Sequence, residues 1–130
     1  MNAIRWSLPL VLGFIVLVPN LSAQELNGGG WRGKWTDDNA GHEDRLRARF
    51  RLTRTGDYRA VFTGKFAQVI PFVFVTRLNV VERTDDHVIL SGSSMLPGFG
   101  RFTYDAVADS HNFNAHYSSR RWFGDFILNR

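Results

Sequence analysis

The feature that most constrains the fold is a strict alternation of charged and apolar side chains over residues Arg45–Leu52. Successive side chains of a β-strand point to opposite faces, so a period of two separates the two kinds of residue. A helix would scatter the same arginines around its whole surface. We therefore predict a strand whose two faces are Arg45, Arg47, Arg49 and Arg51 on one side and Leu46, Ala48, Phe50 and Leu52 on the other.

The rest of the chain repeats short runs of this kind, separated by turn residues. The predicted strands are 31–36, 45–52, 58–63, 72–81, 87–91, 99–108, 112–118 and 125–130. Gly64 is predicted to mark a break or a bulge. Short strands at regular spacing are typical of an antiparallel barrel or sandwich, and no stretch holds a helical period over three turns. We expect a single all-β domain over residues 31–130, in which about eight antiparallel strands form an up-and-down β-barrel, because closure removes exposed edges. A β-sandwich is the alternative.

The N-terminal region predicts export. Arg5 precedes an apolar run from Trp6 to Val18, and the small residue Ala23 ends the segment, which is the layout of a secretory signal peptide. The alternative is a membrane anchor, but a run of about 13 residues is shorter than the roughly 20 that a helix needs to cross a bilayer. Residues 1–23 are predicted as a signal peptide and residues 24–30 as a flexible lead. The protein would then be periplasmic or extracellular, with no transmembrane anchor after cleavage.

Composition limits how such a domain can be held together and what it can attract. The chain contains no cysteine, which excludes disulfides, thiolate metal sites and a cysteine nucleophile, so core packing alone must stabilise it. Once Arg5 is removed with the leader, 15 basic residues face 12 acidic ones, a net charge of +3. That charge favours solubility and a mild attraction to anions without demanding a polyanionic partner.

The first predicted strand resembles the opening of a known class of barrel. Gly33-Lys34-Trp35 is similar to the Gly-x-Trp that begins strand one of the calycins, the lipocalins and avidins. The resemblance implies a small barrel, and from the lipocalins it implies that Arg130 on the last strand stacks on Trp35. The chain departs from the avidins because Asp37 stands where they carry Asn. Residues 36–121 also contain none of the tryptophans of a biotin pocket.

Aromatic residues on the inward faces predict a binding interior. The candidate lining residues are Trp35, Phe50, Tyr58, Phe62, Phe72, Phe74, Phe102, Tyr104, Phe113 and Tyr117. Three apolar segments, Val69–Val75, Ser94–Phe99 and Trp122–Phe123, would form a hydrophobic entrance at one rim, as in small-molecule sites. These features favour a non-enzymatic exported barrel that binds a small apolar or amphipathic ligand. A packed core with no cavity is the alternative.

Two surface features lead to a second hypothesis, an interaction module. Arg45, Arg47, Arg49 and Arg51, with Arg59 on the next strand, could bind an acidic polysaccharide, phosphate or a membrane surface. They could equally form a solvated face neutralised by acidic partners, Glu43, Asp44, Asp57 or Glu82. The segment Val69–Val75 is apolar on both faces, so its outward side is expected to meet a loop, a ligand, a protein partner or a second copy of the chain.

No motif points to catalysis, a metal or a cofactor. The histidines His42, His87, His111 and His116 lack metal-ligand spacing and are interpreted as surface residues near turns. The glycines 28–30 lead into a strand rather than a helix, so they do not form a nucleotide-binding loop. We expect no enzyme activity, no cofactor and no nucleic-acid partner.

Overall fold

A computed structural model describes residues 26–130 of the chain. The predicted signal peptide, residues 1–23, lies outside the described residues, as do the first two residues of the predicted lead. No helix in residues 26–130 has the length and apolar character needed to traverse a bilayer.

The chain forms one closed barrel of antiparallel strands. The strands are β1 (Trp31–Asp37), β2 (His42–Leu52), β3 (Tyr58–Phe66), β4 (Ile70–Arg83), β5 (Val88–Leu96), β6 (Gly100–Ala108), β7 (Asn112–Ser118) and β8 (Phe123–Asn129). Each strand pairs with the next along the chain, and β8 returns to pair with β1. The predicted all-β, up-and-down barrel is confirmed, and the sandwich alternative is wrong.

Alternation places the core inside the barrel. Along β2 the arginines are exposed, while Leu46, Ala48 and Phe50 are buried. The same alternation runs through β6 and β7, where every second side chain is buried. Burial of these apolar side chains on one face of the sheet is the main favourable free energy of the fold, since the chain has no disulfide.

The two ends of the barrel differ. The turns that follow β1, β3, β5 and β7 lie at one end, and the turns that follow β2, β4 and β6 lie at the other, together with both ends of the described chain. This second end is closed by Leu26, which is fully buried, and by Trp31, whose indole Nε1 donates to the Leu26 carbonyl at 3.2 Å. The amide of Leu52 donates to Asn27 Oδ1 at 2.7 Å. Leu26 and Asn27 are therefore held in place, where the sequence predicts a flexible lead.

Arg130 completes the closed end. Its guanidinium carbon lies 4.6 Å from the ring centroid of Trp31, and its Nη1 donates to the Asn27 carbonyl at 2.9 Å. The stacking on Trp35 implied by the calycin resemblance is therefore wrong. β1 and β8 pair so that Arg32 lies opposite Asn129, which brings the end of the chain to the first tryptophan of β1 and leaves Trp35 further along the strand.

Several strand boundaries differ from the sequence prediction, and the ends of β3 and β5 show why. β3 continues through Gly64 to Phe66 without a break, because Gly64 is a point of close approach rather than a bulge. An added Cβ there would lie 2.7 Å from Phe72 Cζ and 2.8 Å from the Arg45 carbonyl oxygen. β5 runs to Leu96, well past the predicted end at Ser91, since β6 pairs with it as far as Gly100.

Candidate functional site

A cavity of about 460 Å³ lies near the turns that follow β1, β3, β5 and β7, in what we call the open half of the barrel. This volume is within the range of small-molecule sites. Side chains from all the strands except β2 enclose it, and residues of the open-end turns surround its mouth. It is lined by Trp35, Asp37, Phe66, Ile70, Pro71, Phe72, Val73, Phe74, Leu96, Pro97, Phe99, Phe102, Tyr104, Tyr117, Trp122 and Phe126.

The ten residues predicted to line a ligand site divide between the two halves of the barrel. Six of them surround the cavity: Trp35, Phe72, Phe74, Phe102, Tyr104 and Tyr117. The other four pack in the closed half: Phe50, Tyr58, Phe62 and Phe113. Phe50 makes ring contacts with Trp31 at 5.6 Å and with Phe113 at 4.8 Å, which fills that half with aromatic rings. The barrel therefore has both a packed core and a cavity, at opposite ends.

Trp35 forms one wall of the cavity in a fixed orientation. Its indole Nε1 donates to the Lys65 carbonyl at 3.1 Å, which bridges β1 and β3. Its ring stacks on Phe66 at 6.1 Å, with an interplanar angle of 12°, and meets Phe72 edge-on at 6.1 Å. This tryptophan therefore presents a rigid apolar surface, which a ligand can contact at little cost in side-chain entropy.

Another part of the lining is a set of aromatic rings in contact with one another. Phe74 and Tyr104 are parallel within 12° at 6.2 Å, and Tyr117 stacks on Phe126 at 5.1 Å. These rings make this part of the lining aromatic and apolar, which suits planar or apolar ligand groups.

The mouth of the cavity is apolar and partly exposed. Ile70 is 59% exposed and Phe99 is 48% exposed, yet both line the cavity. Trp122 covers the rim between β7 and β8 and contacts Phe99 edge-on at 5.3 Å. The apolar segments of the sequence thus lie around this opening. Val73, at the edge of the cavity, and Val75, on the outer wall of β4, both stay exposed, so the partner contact expected for Val69–Val75 remains a prediction.

The wall between β4 and β5 is paired only in the closed half. Their ladder begins at Leu78 and Gly92, and no pairing joins residues 70–77 of β4 to residues 93–96 of β5. The two strands are instead paired outwards, to β3 and to β6. Leu96 and Phe72, which line the cavity, belong to these two stretches that are not paired with each other.

Few polar groups face the cavity. Asp37 is buried, and its Oδ1 accepts the amides of Asn39 at 3.0 Å and Ala40 at 3.4 Å in the turn that follows β1. Its Oδ2 makes no hydrogen bond within residues 26–130. It is therefore the acceptor that a ligand at this wall could use.

The two cavity tyrosines are held as neutral phenols. Tyr117 donates to the Thr36 carbonyl at 2.6 Å, and Tyr104 shares a hydrogen bond of 2.7 Å with Ser94 Oγ. Burial raises the pKa of Tyr104. Burial, followed by the nearby Asp37 carboxylate, raises the pKa of Tyr117 well above its usual range. Neither phenol is a general base near neutral pH, because both pKa values move away from 7.

Ten of the lining residues are not among those predicted to line the interior. They are Asp37, Phe66, Ile70, Pro71, Val73, Leu96, Pro97, Phe99, Trp122 and Phe126. The apolar segments predicted to form the rim contain seven of these residues: Ile70, Pro71, Val73, Leu96, Pro97, Phe99 and Trp122. Phe126 could have been found from the alternation in β8, where it and Leu128 are buried.

The predicted anion-binding residues lie elsewhere. Arg45, Arg47, Arg49, Arg51 and Arg59 are all exposed on the outer wall of β2 and β3, apart from the cavity. The histidines are partly or fully exposed as well, and His116 Nδ1 lies 3.2 Å from Asp125 Oδ1. Within residues 26–130 no group of three or more acidic or histidine side chains is placed to hold a metal ion.

Comparison with known proteins bears on the fold alone. No protein-family profile matches the chain, and no curated protein matches it in sequence. Among solved structures, it is similar to a redesigned β-barrel, mFAP1, bound to DFHBI, with a TM-score of 0.62 and 18% identity over 84% of this chain and 98% of that one. This likeness agrees with a small antiparallel barrel. It does not show membership of the calycins, which stays a prediction.

Proposed function

We propose that this protein is an exported, non-enzymatic barrel that binds a small apolar or amphipathic ligand in the cavity of its open half. The observation that carries the proposal is the cavity itself, about 460 Å³ of space lined almost entirely by aromatic and aliphatic side chains. Its ligand would enter between the apolar turns at the mouth. The similar barrel mFAP1, which binds DFHBI, agrees with a barrel of this size serving as a small-molecule site.

Binding is favoured over catalysis by the chemistry of the lining. The ionisable side chains at the cavity are Asp37, Tyr104 and Tyr117. General acid–base catalysis works best with a group whose pKa lies near the operating pH. Burial moves the pKa of both tyrosines upwards, away from that range. Asp37 would instead orient a ligand by accepting a hydrogen bond at Oδ2, which fits an amphipathic molecule with one donor group.

The proposal of export rests on the predicted signal peptide, residues 1–23. The predicted signal peptide would place the barrel outside the cytoplasm, where a binding protein can capture or carry poorly soluble molecules. Cleavage after Ala23 would leave a protein that begins at residue 24. N-terminal sequencing of the protein recovered from its host therefore tests export separately from ligand binding.

The test of binding uses two substitutions at neighbouring positions of β5. Leu96 is half-buried and lines the cavity, whereas Met95 is 59% exposed and does not line it. L96R and M95R therefore add the same charge to the same strand, but only L96R places it at the mouth. Thermal unfolding of the full chain would be followed with fatty acids, retinoid-like compounds, biotin and oligosaccharides.

A ligand that binds only the folded protein stabilises it by about 2.7 kcal/mol at a hundredfold excess over Kd. For a domain of this size that is a rise of roughly 10 °C in Tm. We expect such a rise with an apolar compound, independent of salt, retained in M95R and lost in L96R. Equal shifts in both variants would place the ligand outside the cavity, and no shift with any apolar compound would contradict the proposal.

A further inference from the structure

The outer wall of the barrel carries a continuous basic surface that ligand binding does not use. We call it the arginine face, and it consists of Arg32, Arg45, Arg47, Arg49, Arg51, Arg59 and Arg77, all exposed. The pairing registers bring these residues together: Arg32 lies opposite Arg47 across β1 and β2. Arg51 lies opposite Arg59, and Arg59 lies opposite Arg77, across β2, β3 and β4.

The acidic residues that could have neutralised this surface do not do so. Glu43 pairs with Lys34 at 2.9 Å, and Asp44 is buried. Asp57 accepts the Val80 amide at 3.4 Å, and Glu82 makes no ion pair within residues 26–130.

Within residues 26–130, no arginine of the arginine face forms an ion pair or a side-chain hydrogen bond. Like charges directly opposite each other on neighbouring strands destabilise a sheet. The opposed pairs Arg32–Arg47, Arg51–Arg59 and Arg59–Arg77 therefore oppose folding. In the part of the chain that the structure describes, the arginine face is not a surface neutralised by salt bridges.

We propose that the arginine face binds a linear polysaccharide bearing carboxylate or sulfate groups. Arg45 to Arg51 form a row of four guanidinium groups about 20 Å long along β2, since alternate residues of a strand are about 6.8 Å apart. The neighbouring arginines on β1, β3 and β4 flank this row on both sides. A guanidinium offers a planar pair of donors that matches planar or tetrahedral oxyanions, and an extended chain can follow the row.

The shape and chemistry of the surface favour this partner over other polyanions. The outward positions of β1 to β4 carry no aromatic side chain, so no platform exists for stacking the bases of a single-stranded nucleic acid. The wall of a barrel is convex and offers no helix to enter the groove of a duplex. A planar membrane would touch this convex wall along one line only, and the exposed aromatic side chains lie at the mouth instead.

The test compares two double substitutions that remove the same charge from different places. R47Q/R51Q removes two arginines of the row, and it also relieves like-charge neighbours at Arg32 and Arg59. R120Q/R121Q removes two exposed arginines from the turn before β8, outside the arginine face. Binding of the full chain to heparin and to polygalacturonate would be measured calorimetrically at several salt concentrations, with the unaltered chain as reference.

We expect binding to at least one polysaccharide, weakened by salt, with a loss of at least about tenfold in R47Q/R51Q and less than about twofold in R120Q/R121Q. A stronger response to heparin would identify sulfate, and a stronger response to polygalacturonate would identify carboxylate. R47Q/R51Q should unfold at the same temperature as the unaltered protein or higher, which separates loss of binding from loss of fold.

Three results would overturn the proposal. Equal losses of affinity in the two variants would mean that binding depends on net charge and not on the arginine face. No binding to either polysaccharide at about 0.15 M salt would exclude the interaction. Tighter binding to single-stranded DNA or to phosphatidylglycerol vesicles than to both polysaccharides would assign the arginine face to a different polyanion.

Discussion

Gly33 allows the barrel to close, and replacing it with alanine should open the contact between the first and last strands. A Cβ at this position would overlap the Ile127 carbonyl oxygen and lie 2.9 Å from Leu128 Cα. Both are backbone atoms of β8, which cannot swing aside as a side chain would. The two strands would have to part by more than about 1 Å to restore an ordinary van der Waals contact.

The size of the effect follows from what that separation breaks. β1 and β8 are in register over four residue pairs, from Arg32–Asn129 to Trp35–Phe126. Each ladder hydrogen bond contributes about 1 kcal/mol of net stabilisation, and the packing between β1 and β8 would be lost as well. G33A should therefore lower the free energy of unfolding by roughly 3–5 kcal/mol. That is a large part of the 5–15 kcal/mol that holds a typical domain together.

Urea unfolding followed by tryptophan fluorescence suits this measurement, because the buried Trp31 and Trp35 lie two residues to either side of the substitution. The control is G30A, since Gly30 has open space around the added Cβ and no positive φ. G30A should change the free energy of unfolding by no more than about 1 kcal/mol, in either direction. If G33A unfolds within about 1 kcal/mol of both G30A and the unaltered protein, the reasoning from close approach is refuted.

Three further predictions concern buried contacts. The raised pKa of Tyr117 favours the neutral phenol in the folded state, so the contribution of Tyr117 to stability is complete below about pH 10 and is lost as the pH rises towards the folded pKa. The free energy of unfolding in urea, measured from pH 8 to 11.5, should therefore fall less steeply in Y117F than in the unaltered protein, and equal slopes would contradict this. L26A should cost about 2–5 kcal/mol, because Leu26 is fully buried at the closed end, whereas a cost below 0.5 kcal/mol, the scale of a neutral surface change, would mean that this end is open. W35F removes the hydrogen bond to the Lys65 carbonyl and should cost about 1–3 kcal/mol, detected as a lower urea midpoint and as faster amide exchange in β3; unchanged exchange would show that the bridge does not hold the strand.

Much of the barrel could be predicted from local patterns. The alternation in β2 fixed which side chains face inwards, and the turn residues after β2 and β4 placed the reversals where they occur. The boundaries of β5 and β8 were less predictable, because a strand ends where its neighbour stops pairing with it. Gly64 illustrates the same limit: glycine is compatible with a bulge and with a close approach, and only the position of Phe72 distinguishes them.

The sequence predicts the aromatic character of the candidate site but not which half of the barrel contains it. Inward aromatic residues of both halves look alike in sequence, so Phe50 and Phe74 were grouped together. Their environments differ because Trp31 and Leu26 fill the closed half, whereas within residues 26–130 no corresponding segment enters the open half. The calycin resemblance implies stacking of Arg130 on Trp35 rather than Trp31 for a related reason, since the pairing of β8 with β1 is a long-range property.

The sequence by itself determined that the chain forms short antiparallel strands, which side chains share a strand face and where the rim is apolar, because a period of two is a local property of the chain. The tertiary structure decided that one half of the barrel is packed and the other hollow, and that seven arginines from four strands form one surface. Both outcomes depend on the registers between strands, and these are set by the summed packing of residues far apart in sequence.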